Sequence, residues 1–134
     1  MDRIVVGYDG SEHARSALAR AAEIAHGATV AVVSAAHVEG FLGGGVSPID
    51  PAEAEARTKT LADAREYLEG RGVKGEYIEG AGNPADVLVD EARESGADLL
   101  VIGTRGRNAA KRLALGSVST NVVAHSTVDV LVVR

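Results

Sequence analysis

Five short apolar or β-branched runs alternate with stretches whose apolar positions recur at helical spacing. The first run is Arg3 to Tyr8. A helix is predicted from Ser11 to His26, because Ala14, Ala17, Leu18, Ala21, Ile24 and Ala25 fall on one face. Asp9 or Ser11 is positioned to cap its start, and Gly27 to stop it. The second run is Ala28 to Ala36. A Gly-rich segment, His37 to Ile49, leads into a long helix predicted from about Pro51 to Glu69, closed by Gly70 and Gly72. The third run is Val73 to Glu79. Asn83 then caps a helix that opens on Pro84, the favoured first helical position, and ends before Gly96. Ala97 to Ile102 is the fourth run. Ser117 to His125 is the next helix, despite the modest helix propensity of its Val and Ser residues. Val128 to Val133 is the fifth strand.

Strands that alternate with helices imply right-handed crossovers and a parallel sheet covered on both faces. The predicted fold is α/β: one domain over residues 1–134, with an open five-stranded parallel sheet in the order 3-2-1-4-5, Rossmann-like or flavodoxin-like. In such sheets a ligand sits beyond the strand C-termini, where the strand order reverses. Two loops lie at such ends: Gly7-Tyr8-Asp9-Gly10-Ser11 and the segment that begins at Gly103. If the first and fourth strands are neighbours, these loops flank one crevice.

The second loop carries the strongest chemical signal. Gly103-Thr104-Arg105-Gly106 follows the apolar strand directly, and Gly116-Ser117 stands where the next helix begins. Glycines there let backbone approach a ligand, and a helix start offers unpaired N–H groups to an anion. The thirteen residues from Thr104 to Gly116 include Arg105, Arg107, Lys111 and Arg112 and no acid, in a chain of formal net charge −5. A cationic, glycine-flanked loop on an acidic protein points to a small polyanion such as a nucleotide phosphate.

Composition narrows the classes. Hydrophobic residues make up 46% and charged residues 25%, an ordinary globular balance. No apolar run approaches the roughly 20 residues of a membrane span, and the first strand begins almost at once, so neither a membrane association nor a signal peptide is expected. Without cysteine there is no disulfide, thiolate metal site or cysteine nucleophile, and the expected compartment is the cytoplasm. The acidic balance and 3% aromatic content argue against a nucleic-acid partner.

The motif Gly-x2-Gly-x9-Gly-Ser at Gly103, Gly106, Gly116 and Ser117 resembles that of the universal stress protein family, of the ATP-binding kind. The resemblance extends through Ile4-Val5-Val6-Gly7-Tyr8-Asp9-Gly10-Ser11-Glu12, Gly82-Asn83-Pro84, Asp98 to Gly103, Gly116 to Ser119 and Val130 to Val133. It departs at Val128-Asp129, where the family often has proline. The resemblance implies that Gly103, Arg105 and Gly106 line the phosphate and ribose side. It implies that Gly116, Ser117, Val118 and Ser119 bind phosphates through backbone N–H and hydroxyl groups. Asp9 would face the ribose or the metal–phosphate region, and Gly7 and Tyr8 would lie along the nucleotide. Ala35 would offer backbone hydrogen bonds to adenine, while Gly82 and Ile102 would help enclose the ring. The implied ligand is ATP, with Mg or Mn held mainly by the phosphates and Asp9 the one indirect candidate among the side chains.

Rival readings are weaker. Asp9 also fits a helix N-cap, and it has no acid/base partner for catalysis. Ser11 and His13 do not face each other, and His13, His26, His37 and His125 show no metal-ligand spacing, so surface or capping roles are expected of them. Gly80-Ala81-Gly82-Asn83-Pro84-Ala85 matches a dinucleotide fingerprint in form only, since it follows the third strand and Pro84 lacks an N–H. The expected function is ATP binding in stress response or signalling, through nucleotide-dependent partner interactions. The alternatives are a slow ATP hydrolase and an AMP-binding protein using the same site. The segment from His37 to Ile49 is expected to form either a flap near adenine or a plain connection. The apolar terminal strand, Val128 to Val133, invites homodimerisation through an exposed sheet edge.

Overall fold

The computed structural model describes residues 1–36, 51–104 and 115–134, without the side chains of Ala36 and Glu53. Among the described residues nine elements run in order: β1 (Arg3–Gly7), α1 (Glu12–Ile24), β2 (Thr29–Ala36), α2 (Pro51–Gly70), β3 (Gly75–Ala81), α3 (Pro84–Glu94), β4 (Leu99–Gly103), α4 (Ser117–His125) and β5 (Asp129–Val133). The sheet order is β3-β2-β1-β4-β5, and every pairing is parallel. The predicted topology is therefore the observed one. Strand order reverses at β1, which pairs with β2 on one side and with β4 on the other.

Alternation along the strands divides the core in two. Ile4, Val6, Val30, Val32 and Val101 face α1 and α2 and pack on Ala17, Leu18, Ala21, Leu61, Ala64 and Leu68. Val5, Ala31, Val33, Leu100 and Ile102 face α3 and α4 and meet Ala85, Leu88, Val89, Ala92 and Val122. The buried stripes of α1 and α3 have the same spacing, Ala14-Ala17-Leu18-Ala21 and Ala85-Leu88-Val89-Ala92. That spacing is one face of a 3.6-residue helix. Because both faces are covered, the central strands are apolar at successive positions rather than at every second one.

Element ends show where local signals gave way to tertiary pairing. Ser11, not Asp9, caps α1 by accepting the Ala14 N–H at 3.2 Å. The helix closes at Ile24, two residues before the predicted end, and His26 itself turns into the left-handed region at φ 44°. β3 starts at Gly75 rather than Val73, because the Val73 N–H closes the end of α2 on the Leu68 carbonyl at 3.0 Å. The predicted span of α4 matches the observed one.

The N-terminal end of the sheet is tied by a carboxylate. Asp98 accepts the N–H groups of Asp2 at 2.7 Å and Arg3 at 3.1 Å, joining the start of β1 to the start of β4. These backbone hydrogen bonds, Asp2 first, hold the Asp98 carboxyl below its usual 3.8. A depressed carboxyl stabilises the fold above its unfolded value, and that contribution is lost as pH falls through the folded one. Asp98→Ala should therefore lower the thermal midpoint near about pH 6, with the deficit shrinking towards about pH 2.5. Thermal unfolding at both pH values checks this, and a deficit that does not change with pH contradicts it.

Candidate functional site

Parallel pairing of Ile4 with Leu99 and of Val6 with Val101 brings the ends of β1 and β4 side by side. Gly7, Tyr8 and Asp9 thus stand next to Ile102 and Gly103. Ala35, near the end of β2, lies at the same sheet edge and pairs with Gly80. Gly82 follows the end of β3 at φ 121°, a backbone conformation that suits glycine, and leads into the Asn83 cap of α3. Arg105 and Gly106 lie outside the described residues, as does the segment His37 to Ile49.

The start of α4 is fastened to the end of β4 through Thr104, a residue the sequence reading did not single out. Thr104 is 6% exposed. Its carbonyl accepts the Gly116 N–H at 2.6 Å and the Ser119 hydroxyl at 2.9 Å. Its own N–H donates to the Val133 carbonyl at 3.1 Å, and its hydroxyl lies 3.2 Å from His13 Nδ1. His13 therefore does not play the surface or capping role expected of the histidines. Its partner is 91 positions away in sequence, so no local pattern could announce the pair.

Several expected ligand-facing residues have structural duties. Tyr8 is 7% exposed and Ile102 3% exposed, and both side chains belong to the core, which leaves backbone as what either can offer a ligand. The Tyr8 N–H is already spent on the Val33 carbonyl at 2.9 Å. Asp9 Oδ1 accepts the Ser11 N–H at 2.9 Å, which shapes the turn into α1. Ser119 is buried, and its single hydroxyl proton is shared between the carbonyls of Thr104 and Gly116, at 2.9 and 3.0 Å. That proton is not free for a phosphate, so the hydroxyl role implied for Ser119 gives way to a structural one. Ser117 remains exposed, and Val118 packs partly against the α3/α4 core.

The glycines at the two strand ends are fixed by packing. A Cβ on Gly7 would lie 2.8 Å from Leu88 Cδ1, and one on Gly103 only 2.7 Å from the His13 carbonyl oxygen. The first turn of α1 thus rests directly on the end of β4. Two open grooves beside α2, of about 390 and 480 Å³, are lined by none of the residues expected to contact nucleotide. Among the described residues, no three or more His, Cys, Asp or Glu side chains gather as a metal site, and no helix is long and apolar enough to cross a membrane.

The helix starts differ in one respect that bears on ligand chemistry. Ser11 caps α1 and Asn83 caps α3 through their side chains, whereas α4 begins at Gly116 with no side-chain cap. The first turn of α4 holds no acidic residue either. An uncapped helix start beside a topological switch point suits an anion.

An open parallel sheet whose strand order reverses at β1, with helices on both faces, defines a doubly wound α/β protein. The chain belongs to the universal stress protein family, which matches it over residues 1–134. It is 39% identical to the Thermus aquaticus "Universal stress protein in QAH/OAS sulfhydrylase 3'region", over 98% of this chain and 97% of that one. A universal stress protein solved in complex with cAMP superposes with a TM-score of 0.78 at 30% identity, covering 99% of this chain and 97% of the other. The Archaeoglobus fulgidus universal stress protein in complex with dAMP gives 0.78 at 28% identity, covering 100% and 98%.

Gly103 offers a direct check on the packing at the site. Since the added methyl would meet backbone of α1, Gly103→Ala should cost about 1–3 kcal/mol. Gly70, with nothing within 4 Å of an added Cβ, is the control and should tolerate Ala without loss. Urea unfolding of both variants measures this, and equal midpoints for Gly103→Ala and wild type contradict the close approach.

Proposed function

We propose that this chain binds an adenine nucleotide, foremost ATP, in the crevice at the ends of β1 and β4. The phosphates lie on the first turn of α4, and the nucleotide state governs presentation of a surface to partners in stress response. The observation that carries this reading is the glycine-started, uncapped α4 beside the switch point, where α1 and α3 have side-chain caps. The nucleotide complexes of the two similar structures, one with cAMP and one with dAMP, support an adenine ligand. The motif at Gly103, Gly106, Gly116 and Ser117 supports the triphosphate.

The residues fit these roles. Gly103 and Gly116 bring no side chain to the strand-to-helix turn, the Gly116 N–H being held by the Thr104 carbonyl, and the N–H groups of Ser117, Val118 and Ser119 belong to the helix start. The Ser117 hydroxyl is exposed and able to donate to a phosphate oxygen. Gly7, Ala35 and Gly82 are backbone contacts for the nucleoside end. Mg or Mn is held by the phosphates, with Asp9 acting through water at most. Among the described residues no general base is paired with a positioned partner, which supports storage of a nucleotide over turnover. Mass spectrometry of nucleotide released from gently prepared, then denatured, protein tests this. ATP is expected, with turnover below about 1 s⁻¹. AMP in its place favours the AMP-binding alternative, and no adenylate together with no calorimetric ATP binding overturns the site.

The same reading includes a homodimer through residues 128–133. β5 is an edge strand with Val130, Leu131 and Val132 only half-buried, and among the described residues no strand lies beside its outer N–H and C=O groups. Pairing two such edges about a two-fold axis covers them and closes the assembly. Light scattering at micromolar concentration should give the dimer mass. A monomer across the accessible concentration range contradicts this.

A further inference from the structure

We propose that Thr104, held in place by His13, is a positioning residue of the phosphate end of the site, aligning the first turn of α4 by gripping Gly116 and Ser119. The inference rests on the nucleotide-binding reading above and adds to it a residue pair outside the glycine motif.

Thr104 joins separate elements at one point. Its N–H anchors it to β5 at Val133, and its hydroxyl is placed by His13 in the first turn of α1. Its carbonyl, fixed by those two contacts, receives the Gly116 N–H and the Ser119 hydroxyl. Gly116 in turn accepts the Thr120 N–H at 3.0 Å, the first hydrogen bond of α4. The direction of the helix start is therefore set through Thr104. A helix N-terminus binds an anion only when its N–H groups converge on one point, so a small rotation of α4 weakens several contacts together. α4 spans nine residues and has no side-chain cap to hold its first turn. An external clasp is what remains.

The Thr104–His13 contact is partly buried, and either the hydroxyl or the ring N–H can donate in it. Thr104→Val keeps the shape and deletes the hydroxyl, so the carbonyl loses one of its two anchors. Ser at 104 retains the hydroxyl and removes only a methyl group.

The test combines nucleotide affinity with a measurement on the nucleotide-free protein. By calorimetry with ATP, Thr104→Val should bind about fivefold to tenfold more weakly, and Thr104→Ser should return to within about twofold of wild type. His13→Ala should also weaken binding, and in the double variant the two effects should overlap rather than multiply, as expected for residues acting through one contact. Without nucleotide, the Gly116 amide should exchange faster with solvent in Thr104→Val than in wild type. Wild-type affinity in folded Thr104→Val, or independent effects of the two substitutions, overturns the proposal while leaving the nucleotide reading in place. If Thr104→Val does not fold, Ser119→Ala decides, since it removes the one side-chain hydrogen bond that the Thr104 carbonyl accepts; unchanged ATP affinity there overturns the clasp. Failure of wild type to bind ATP, AMP or cAMP overturns both the reading and the clasp.

Discussion

All strands of the sheet run in one direction, and the remaining features follow from that constraint. Parallel strands need a crossover after each one, so helices cover both faces and the sheet interior is apolar throughout. Ile4, Val5, Val6, Leu100 and Val101 have no exposed surface, and each such side chain contributes on the order of 1.5–3 kcal/mol through burial. The same direction gathers every strand C-terminus at one edge. The polar work of the molecule is divided accordingly: Asp98 ties the opposite edge shut, while Thr104 joins β4 to β5, α1 and the start of α4 at the C-terminal edge. Gly7 and Gly103 are consequences as well, because helices packed this closely leave no room for a side chain at the strand ends.

The elements were legible from the sequence because each local signal agreed with the global topology. The apolar stripe of α3, its Asn83 cap and Pro84 at its start all pointed to the same helix. β3 was displaced by two residues because Val73, apolar enough for a strand, is used to close α2. Alternation of elements pointed to a parallel sheet but is compatible with more than one strand order, and the pairing of β1 with β4, posed only as a condition from the sequence, is what the fold supplies.

The candidate site was legible in part. Glycine spacing and charge mark the strand-to-helix loop at which it is proposed. The roles of its side chains were not legible. Tyr8 and Ile102 lie next to the crevice in sequence, yet strand alternation sends their side chains into the two cores. Ser119 reads as a phosphate ligand until its hydroxyl is found on the Thr104 and Gly116 carbonyls. Gly7 and Gly103 read as ligand-approach glycines, and packing against Leu88 and His13 is a sufficient reason for both. Contacts between residues far apart in the chain carry no local pattern, so the His13–Thr104 pair becomes visible only once the fold is built.

Titration of isotope-labelled protein with ATP, followed by amide chemical shifts, tests the placement of the nucleotide most directly. The largest changes should fall on Gly103, Gly116, Ser117, Val118 and Ser119, with a second group from Gly7 to Gly10. Asp2, Arg3 and Asp98, at the opposite edge of the sheet, should not move. Changes confined to that opposite edge or to the grooves beside α2, or no saturable change at all, would contradict binding at the switch point.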